Sequence, residues 1–346
     1  NYKIILDQAK RFNVRSIIIT NEKYFKIAKS KNKNNKIKIY NNFENLKKIF
    51  PEKIDYVMSS IVGLDGLIPT FKIIKFTKKI AIANKETIIC AWNLIKKELK
   101  KNNTDFVPVD SEHFSIWYAL KNNSISNLDY ILITASGGPL LNIPTRKFKN
   151  LKISKIIKHP NWNMGAKISV DSSTMINKVF EIIEAKKIFN LDYKQLSIVI
   201  HPKSYVHAIL KFKDGLIKII VHETTMEIPI FNTLNKINKN KFKTKKINLN
   251  KLNNLKLSNI DSKKFPLTKI IKKLPSKDSL FETVLVTIND ELVRLFLNKK
   301  FSYLTLINKL FKLMHKKEFI KYKFIEPKKI TDILKLNKII KSKIKI

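Results

Sequence analysis

The stretch KIAIANKETIICAWNLIKKELKKNNTDFVPVDSEHF, residues 79–114, decides the fold. It opens with a short apolar run, KIAIA (79–83), continues through a long amphipathic segment over 85–101, and ends in a second apolar run, DFVPV (105–109). Strand, helix, strand in this order makes the two strands parallel, because the helix returns the chain to the end of the sheet where it began. The same alternation extends upstream through RSIIIT (15–20), a helix over 21–31, KIKIY (36–40), a helix over 42–50, YVMSSIV (56–62) and a helix over 67–76. Short, wholly apolar strands imply a sheet covered on both faces. The first third therefore predicts a doubly wound, Rossmann-like α/β domain. We expect this domain to be truncated, since YKIILDQAKRF (2–12) already reads as a helix and the alternation opens in mid-repeat.

Downstream, DYILITASGG (129–138), a helix from about Ser173 to Phe189, and the strands LSIVIH (196–201), HAILKF (207–212) and LIKIIV (216–221) predict an α+β domain. The last two strands flank Asp214-Gly215, a hairpin signal. A lysine- and asparagine-rich connector covers 236–262, and the patterns over 278–298 and 302–316 are helical. The expected organisation is a first domain over 1–110, a second over 111–235, the connector, and a carboxy-terminal helical domain over 263–346.

With 44% hydrophobic and 10% aromatic residues, the 346-residue chain can bury a full core and does not have a disordered composition. Its net charge of +42 invites a nucleic-acid reading. The kind of base argues against it. Only Arg11, Arg15, Arg146 and Arg294 are arginines, leaving 65 of the 69 basic residues as lysines spread along the whole chain with asparagine and isoleucine. Arginine is the side chain suited to bidentate base and phosphate contacts, so compositional bias explains the charge better than a polyanion partner. The single cysteine, Cys90, excludes an intrachain disulfide, fits a reducing compartment, and lies among the apolar positions of a helix as core would. No apolar run approaches the ~18 residues of a membrane span.

Several groups could carry chemistry, each with an ordinary structural alternative. Asp110 and Glu112 follow a strand at the edge where parallel sheets place ligands, and suit a hard cation such as Mg²⁺ or Mn²⁺. Alternatively, Ser111 caps the next helix with Glu112 in its first turn. Asn177, Glu181 and Glu184 recur at i, i+4, i+7 with Lys178 between them, as a site or as a solvated salt-bridge face. Asp171-Ser172-Ser173 falls at the expected helix start, where free N–H groups favour a phosphate. Ser136-Gly137-Gly138 permits a close backbone approach, or simply ends a strand. Asn84, Lys85 and Glu86 end the strand KIAIA; Asn84 could also be a cap. His201 and His207 read as structural residues. The stretch HPNWNMGAKISVDSSTMINK (159–178) concentrates one of three tryptophans and two of five methionines in a chain dominated by lysine.

IVGLDGL (61–67), IANKETI (82–88), PVDSEH (108–113), ASGGP (135–139), HPNWNMGAKISVDSSTMINK (159–178) and HPKSYVH (201–207) together resemble the 1-deoxy-D-xylulose 5-phosphate reductoisomerase family, in order over nearly the whole chain. The resemblance implies an NADPH-dependent enzyme of isoprenoid biosynthesis that rearranges 1-deoxy-D-xylulose 5-phosphate on a divalent cation and reduces the product. By position, Asp110, Glu112 and Glu181 match metal ligands. Lys85 and Ser111 match contacts to the substrate's polar carbons; Ser136, His159, Ser172, Asn177 and Lys178 match substrate-binding positions, several at the phosphate. Asn1, Asn84, Glu86 and Gly165 match positions near the nicotinamide cofactor. Trp162 and Met164 match a lid over 159–171 that closes on the phosphosugar, excluding water with an indole. A homodimer in the cytoplasm, or in a plastid, is also implied, with no membrane association.

Three departures from the family pattern stand out. The amino-terminal strand and its GxTGxxG turn, which holds cofactor phosphate, have no counterpart, and we expect the natural protein to extend upstream of Asn1. The family's asparagine-lysine-glycine-leucine-glutamate reads Asn177-Lys178-Val179-Phe180-Glu181, and a loop usually rich in glycine and proline reads His222-Glu223-Thr224-Thr225-Met226-Glu227. The altered loop motivates a second reading, a catalytically silent relative kept as a binding or assembly partner. The charge motivates a third, a nucleic-acid binder.

Overall fold

The computed structural model describes residues 1–32, 36–121, 123–234 and 242–344. The chain enters through α1 (Tyr2–Arg11), β1 (Ser16–Ile18), α2 (Glu22–Lys31) and β2 (Lys38–Tyr40). β1 and β2 pair in parallel, and Leu6, Ala9, Ile17 and Ala28 close a small core around them. The helix expected over 42–50 shrinks to the single turn α3 (Leu46–Ile49), because Asn42 Oδ1 accepts from the Glu44 N–H and holds the preceding residues in a side-chain turn. β3 (Ile54–Ser59), α4 (Leu67–Ile73), β4 (Thr77–Ile82), α5 (Lys85–Lys101) and β5 (Asp105–Pro108) follow. Their strands form a parallel sheet in the order β3-β4-β5. Parallel α/β architecture is thus as the sequence reads, although the described strands make two separate parallel sheets rather than one.

α6 (Ser111–Leu120), β6 (Leu128–Ala135), α7 (Ile153–Ile156), α8 (Ala166–Thr174) and α9 (Ile176–Phe189) lead into β7 (Leu196–Ile200), β8 (Val206–Phe212) and β9 (Ile217–Val221). β8 and β9 form the hairpin that Asp214-Gly215 predicts, with Gly215 at φ 91°. Beyond α10 (Glu227–Leu234), the expected connector lies partly outside the described residues, at 236–241. Its remainder is not featureless: it contains α11 (Leu249–Asn253) and β10 (Ser258–Asn259), which adds to β7 and gives the mixed sheet β10-β7-β6-β8-β9. The carboxy-terminal region is helical, with α12 (Phe281–Leu297), α13 (Tyr303–Met314), α14 (Lys317–Ile320) and α15 (Ile330–Lys343).

α9 is the pivot. Val179, Phe180 and Ile183 pack into the large core shared with α5 and α12, while Ile182, Ala185 and Phe189 pack into the core under the mixed sheet. Each fully buried valine, isoleucine or phenylalanine among them contributes about 1.5–3 kcal/mol. A helix apolar on two faces has little solvated surface left, so Glu181 and Glu184, each 1% exposed, form no salt-bridge face in water.

The helix expected from Ser173 to Phe189 is two helices. Met175 adopts a left-handed conformation, φ 63°, and separates α8 from α9. Its buried side chain packs with Ala135, Ile200 and Phe265. Asp171, Ser172 and Ser173 consequently belong to the last turns of α8 and not to a helix start, which removes the helix-dipole argument for a phosphate there. Of the lid expected over 159–171, residues 166–171 are helical.

Candidate active site

One strand end and one helix bring the acidic residues together. Asp110 and Glu112 follow β5, and the Asp110 side chain caps α6 by accepting from the Glu112 N–H. Glu181 reaches them from the second turn of α9. Ligand oxygens of Asp110, Glu112 and Glu181 all lie within 4.8 Å of one another. A second trio, Asp110, His113 and Glu184, has the same closeness and shares Asp110; the sequence reading did not single out His113, whose only signal was its place one turn after Asp110.

Two lysines hold this charge. Lys85, the first residue of α5, places Nζ 2.8 Å from Asp110 and 2.7 Å from Glu184. Lys178 Nζ sits 2.7 Å from Glu112 and also pairs with Glu181. Burial alone would lower the Lys85 pKa, but Asp110, Glu184 and Glu181 hold it well above its ordinary value. Burial likewise opposes the charge on His113, yet Glu184 and Asp110 raise its pKa to about 9. Burial would raise Asp110, but Lys85 and His113 bring it well below the usual carboxylate range. Glu181 goes the other way: burial, with the Glu112 carboxylate beside it, pushes it up to about 8. A third carboxylate is therefore short of positive charge where the three converge, which is the electrostatic condition a divalent cation relieves. The all-oxygen donor set fits a hard ion such as Mg²⁺ or Mn²⁺.

The acidic trio forms one wall of a cleft that Ser111, Ser136, His159, Trp162, Met164, Ser172, Asn177 and Lys178 also line. Gly137 and Gly138 have φ of 81° and 64°, and a Cβ on Gly138 would sit 2.8 Å from the Ser172 carbonyl, so glycine permits β6's exit loop to touch α8. His159 Nδ1 accepts from the backbone N–H groups of Asn161, at 3.2 Å, and Trp162, at 3.0 Å. A nitrogen accepting two hydrogen bonds carries no proton, so the proton is on Nε2, which donates to Ser136 Oγ at 3.0 Å. The Gly138 N–H donates to the same Oγ. With its lone pairs occupied, the Ser136 hydroxyl is left to donate outward, as an anion in the cleft requires. Burial and the Lys178 charge lower the His159 pKa to about 4, keeping the ring neutral.

The residues expected near the cofactor lie elsewhere. Asn84 is buried: Oδ1 accepts from the Thr87 N–H, and Nδ2 donates to the Ile61 and Gly63 carbonyls. Asn84 thereby shapes the loop after β3, where Ile61 and Val62 are exposed at the carboxyl edge of the parallel sheet. Glu86 is buried against Lys167. Gly165 lies at the start of α8, where the expected lid gives way to helix, and Asn1 caps α1. None of Asn1, Asn84, Glu86 and Gly165 lines the cleft. Sequence reasoning read His207 as structural, yet it lines the cleft, as does Met226 of the altered loop, and the His207 ring stacks on His222 with centroids 3.6 Å apart. A histidine near the start of a strand whose neighbours are mostly apolar was the available signal.

A parallel α/β domain that feeds an acid-walled cleft, with uncharged and cationic donors opposite, is the arrangement of an enzyme handling a small anionic substrate beside a hard cation. Models described as 1-deoxy-D-xylulose 5-phosphate reductoisomerase match residues 1–92, and models described as its C-terminal domain match 106–189 and 222–343. The chain is 55% identical to the 1-deoxy-D-xylulose 5-phosphate reductoisomerase of Pelagibacter ubique, over 99% of this chain and 89% of that protein. It is 36% identical to the enzyme of that name from Clostridium perfringens, over 88% and 80%. A crystal structure of DOX-P reductoisomerase with NADPH, fosmidomycin and magnesium superposes with a TM-score of 0.89 at 27% identity, covering 99% of this chain and 88% of that one. The Zymomonas mobilis enzyme with NADPH gives 0.85 at 26%, with the same coverage. The chain belongs to the 1-deoxy-D-xylulose 5-phosphate reductoisomerase family.

Proposed function

We propose that this protein converts 1-deoxy-D-xylulose 5-phosphate to 2-C-methyl-D-erythritol 4-phosphate, using NADPH and a divalent cation, and that the acid-walled cleft is where it does so. The observation that carries the reading is the convergence of Asp110, Glu112 and Glu181 within 4.8 Å beside that cleft. A cation held there would supply Lewis acidity to the substrate's ketone and adjacent hydroxyl, and NADPH would supply the hydride for the reduction. Asp110, Glu112 and Glu181 would hold the cation. Lys85 and Lys178 fix these carboxylates, and Ser111, whose hydroxyl donates to Glu112 at 2.5 Å, orients the second ligand. Ser136, His159, Ser172, Asn177 and Lys178 would anchor the phosphosugar, the phosphate giving remote binding energy that orients the reacting carbons. Trp162 and Met164 would cover it. The ledge at Ile61 and Val62, held by Asn84 at the carboxyl ends of the strands, suits the flat nicotinamide end of the cofactor.

The sequence departures are compatible with activity. Val179 and Phe180 are wholly inside the core, and the altered 222–227 loop still places Met226 in the cleft. The lysines are distributed over all regions, which favours an enzyme with biased composition over a nucleic-acid partner. Among the described residues no helix is long and apolar enough to cross a membrane; a cytoplasmic enzyme accords with this reading. The edge strand β9 exposes Leu216, Ile217 and Ile219 in its vicinity, a surface suited to a homodimer contact.

The test is NADPH oxidation dependent on both 1-deoxy-D-xylulose 5-phosphate and Mg²⁺ or Mn²⁺, in protein made from the complete coding sequence. Absence of turnover in folded protein with either metal would defeat the proposal and favour the silent relative.

A further inference from the structure

Away from the carboxylate cluster, a single ammonium joins three separate parts of the chain. Lys167, in the first turn of α8, places Nζ 3.0 Å from each of Glu86 in α5, Asp171 in α8 and Asp290 in α12. Asp171 is further fixed by the Asn289 amide, which donates to it at 2.8 Å. The Glu86 and Asp171 side chains are 7% and 2% exposed, so two of the three carboxylates crowd where water screens little, with Asp290 at the partly exposed edge and Lys167 bridging all three. What the cluster connects is informative. α8 carries Ile168 and Ser172 into the cleft and begins immediately after Gly165, where the lid segment ends. α5 begins with Lys85, the residue that grips Asp110.

We propose that Lys167 is a positioning residue that fixes the register of substrate-lining helix α8 against α5 and α12, and so holds the lid's end and the Lys85 turn in one geometry. This rests on the reductoisomerase reading and extends it to a residue outside the cleft. Removing the cation leaves Glu86, Asp171 and Asp290 facing one another, and their repulsion drives three elements apart rather than merely loosening one. An arginine in its place keeps the charge and presents several donors to the carboxylates.

The experiment compares wild type, Lys167→Met, Lys167→Arg and Asp290→Asn in protein from the complete coding sequence, reading kcat, KM for substrate and amide hydrogen exchange over 85–90 and 166–174. Lys167→Met is expected to lower kcat at least about tenfold per folded molecule, raise KM only a few-fold, and speed exchange in those two segments. Lys167→Arg should restore kcat to within a few-fold of wild type. Asp290→Asn, which keeps the lysine and tolerates folding because Asp290 is partly exposed, should show a smaller loss in the same direction. Should Lys167→Met not fold, an undiminished kcat in Asp290→Asn with unchanged exchange overturns the proposal. So does a Lys167→Met protein with wild-type kcat, or one whose loss merely tracks the unfolded fraction. If wild type itself shows no turnover, the reductoisomerase reading fails. The register claim then stands or falls on exchange alone, with accelerated exchange in Lys167→Met reversed in Lys167→Arg supporting it and unaltered exchange sinking it.

Discussion

Glu181 shows how much a single carboxyl can be asked to do. It is wholly buried, with its oxygens close to those of Asp110 and Glu112. Glu181→Gln keeps the volume and removes one ligand charge. We expect kcat to fall at least about 100-fold, the upper end of what losing even an outer-shell partner costs a metal site, with a circular dichroism spectrum unchanged. Activity near wild type would show that this carboxyl holds no ion. His159 gives a pH prediction. Its pKa in the fold is about 4, below the ordinary imidazole value, so the unfolded chain takes up the proton first. Its contribution to stability is then complete above the ordinary value and is progressively lost as pH falls towards about 4. Nuclear magnetic resonance of the ring should show Nδ1 as the unprotonated nitrogen at neutral pH, with no titration until well below 6; a midpoint near the usual imidazole value would contradict the hydrogen bond from Nε2 to Ser136.

Among the elements, the break between α8 and α9 has the clearest energetic signature. Met175 lies at φ 63° with its side chain buried, so the site wants a large apolar residue on a backbone that disfavours any Cβ. Both Met175→Ala and Met175→Gly remove packing, but only glycine relieves the left-handed cost of about 1–2 kcal/mol. Urea unfolding should therefore rank the glycine variant above the alanine variant, the reverse of their order within a helix. The same break marks the limit of what the sequence makes legible. The strands around residues 79–114 were readable because apolar runs and amphipathic periods alternate there without ambiguity. Residues 166–189 contain no glycine or proline, so a break enforced by tertiary packing leaves no local mark. Asp110, Glu112 and Glu181 were recognisable through motif resemblance, whereas the Lys167 cluster was not, since its members are distant in sequence and each looks like an ordinary helix charge.

For the whole molecule, two properties follow. The apolar edge at β9 predicts a dimer in sedimentation equilibrium, and Ile219→Lys should shift it towards monomer by putting a charge on that edge. A dimer indifferent to this change would place the contact on another face. The second property concerns the lysines in the acidic site. Because Lys85 and Lys178 already bridge the carboxylates of its walls and offset part of their charge, the framework does not depend on the ion alone to hold it closed. Chelation should abolish turnover while costing stability only the mass-action contribution, about 2.7 kcal/mol at a hundredfold excess over Kd, with activity returning when metal is restored. A cell starved of divalent metal would thus keep this protein as a dormant reserve, intact and ready to restart.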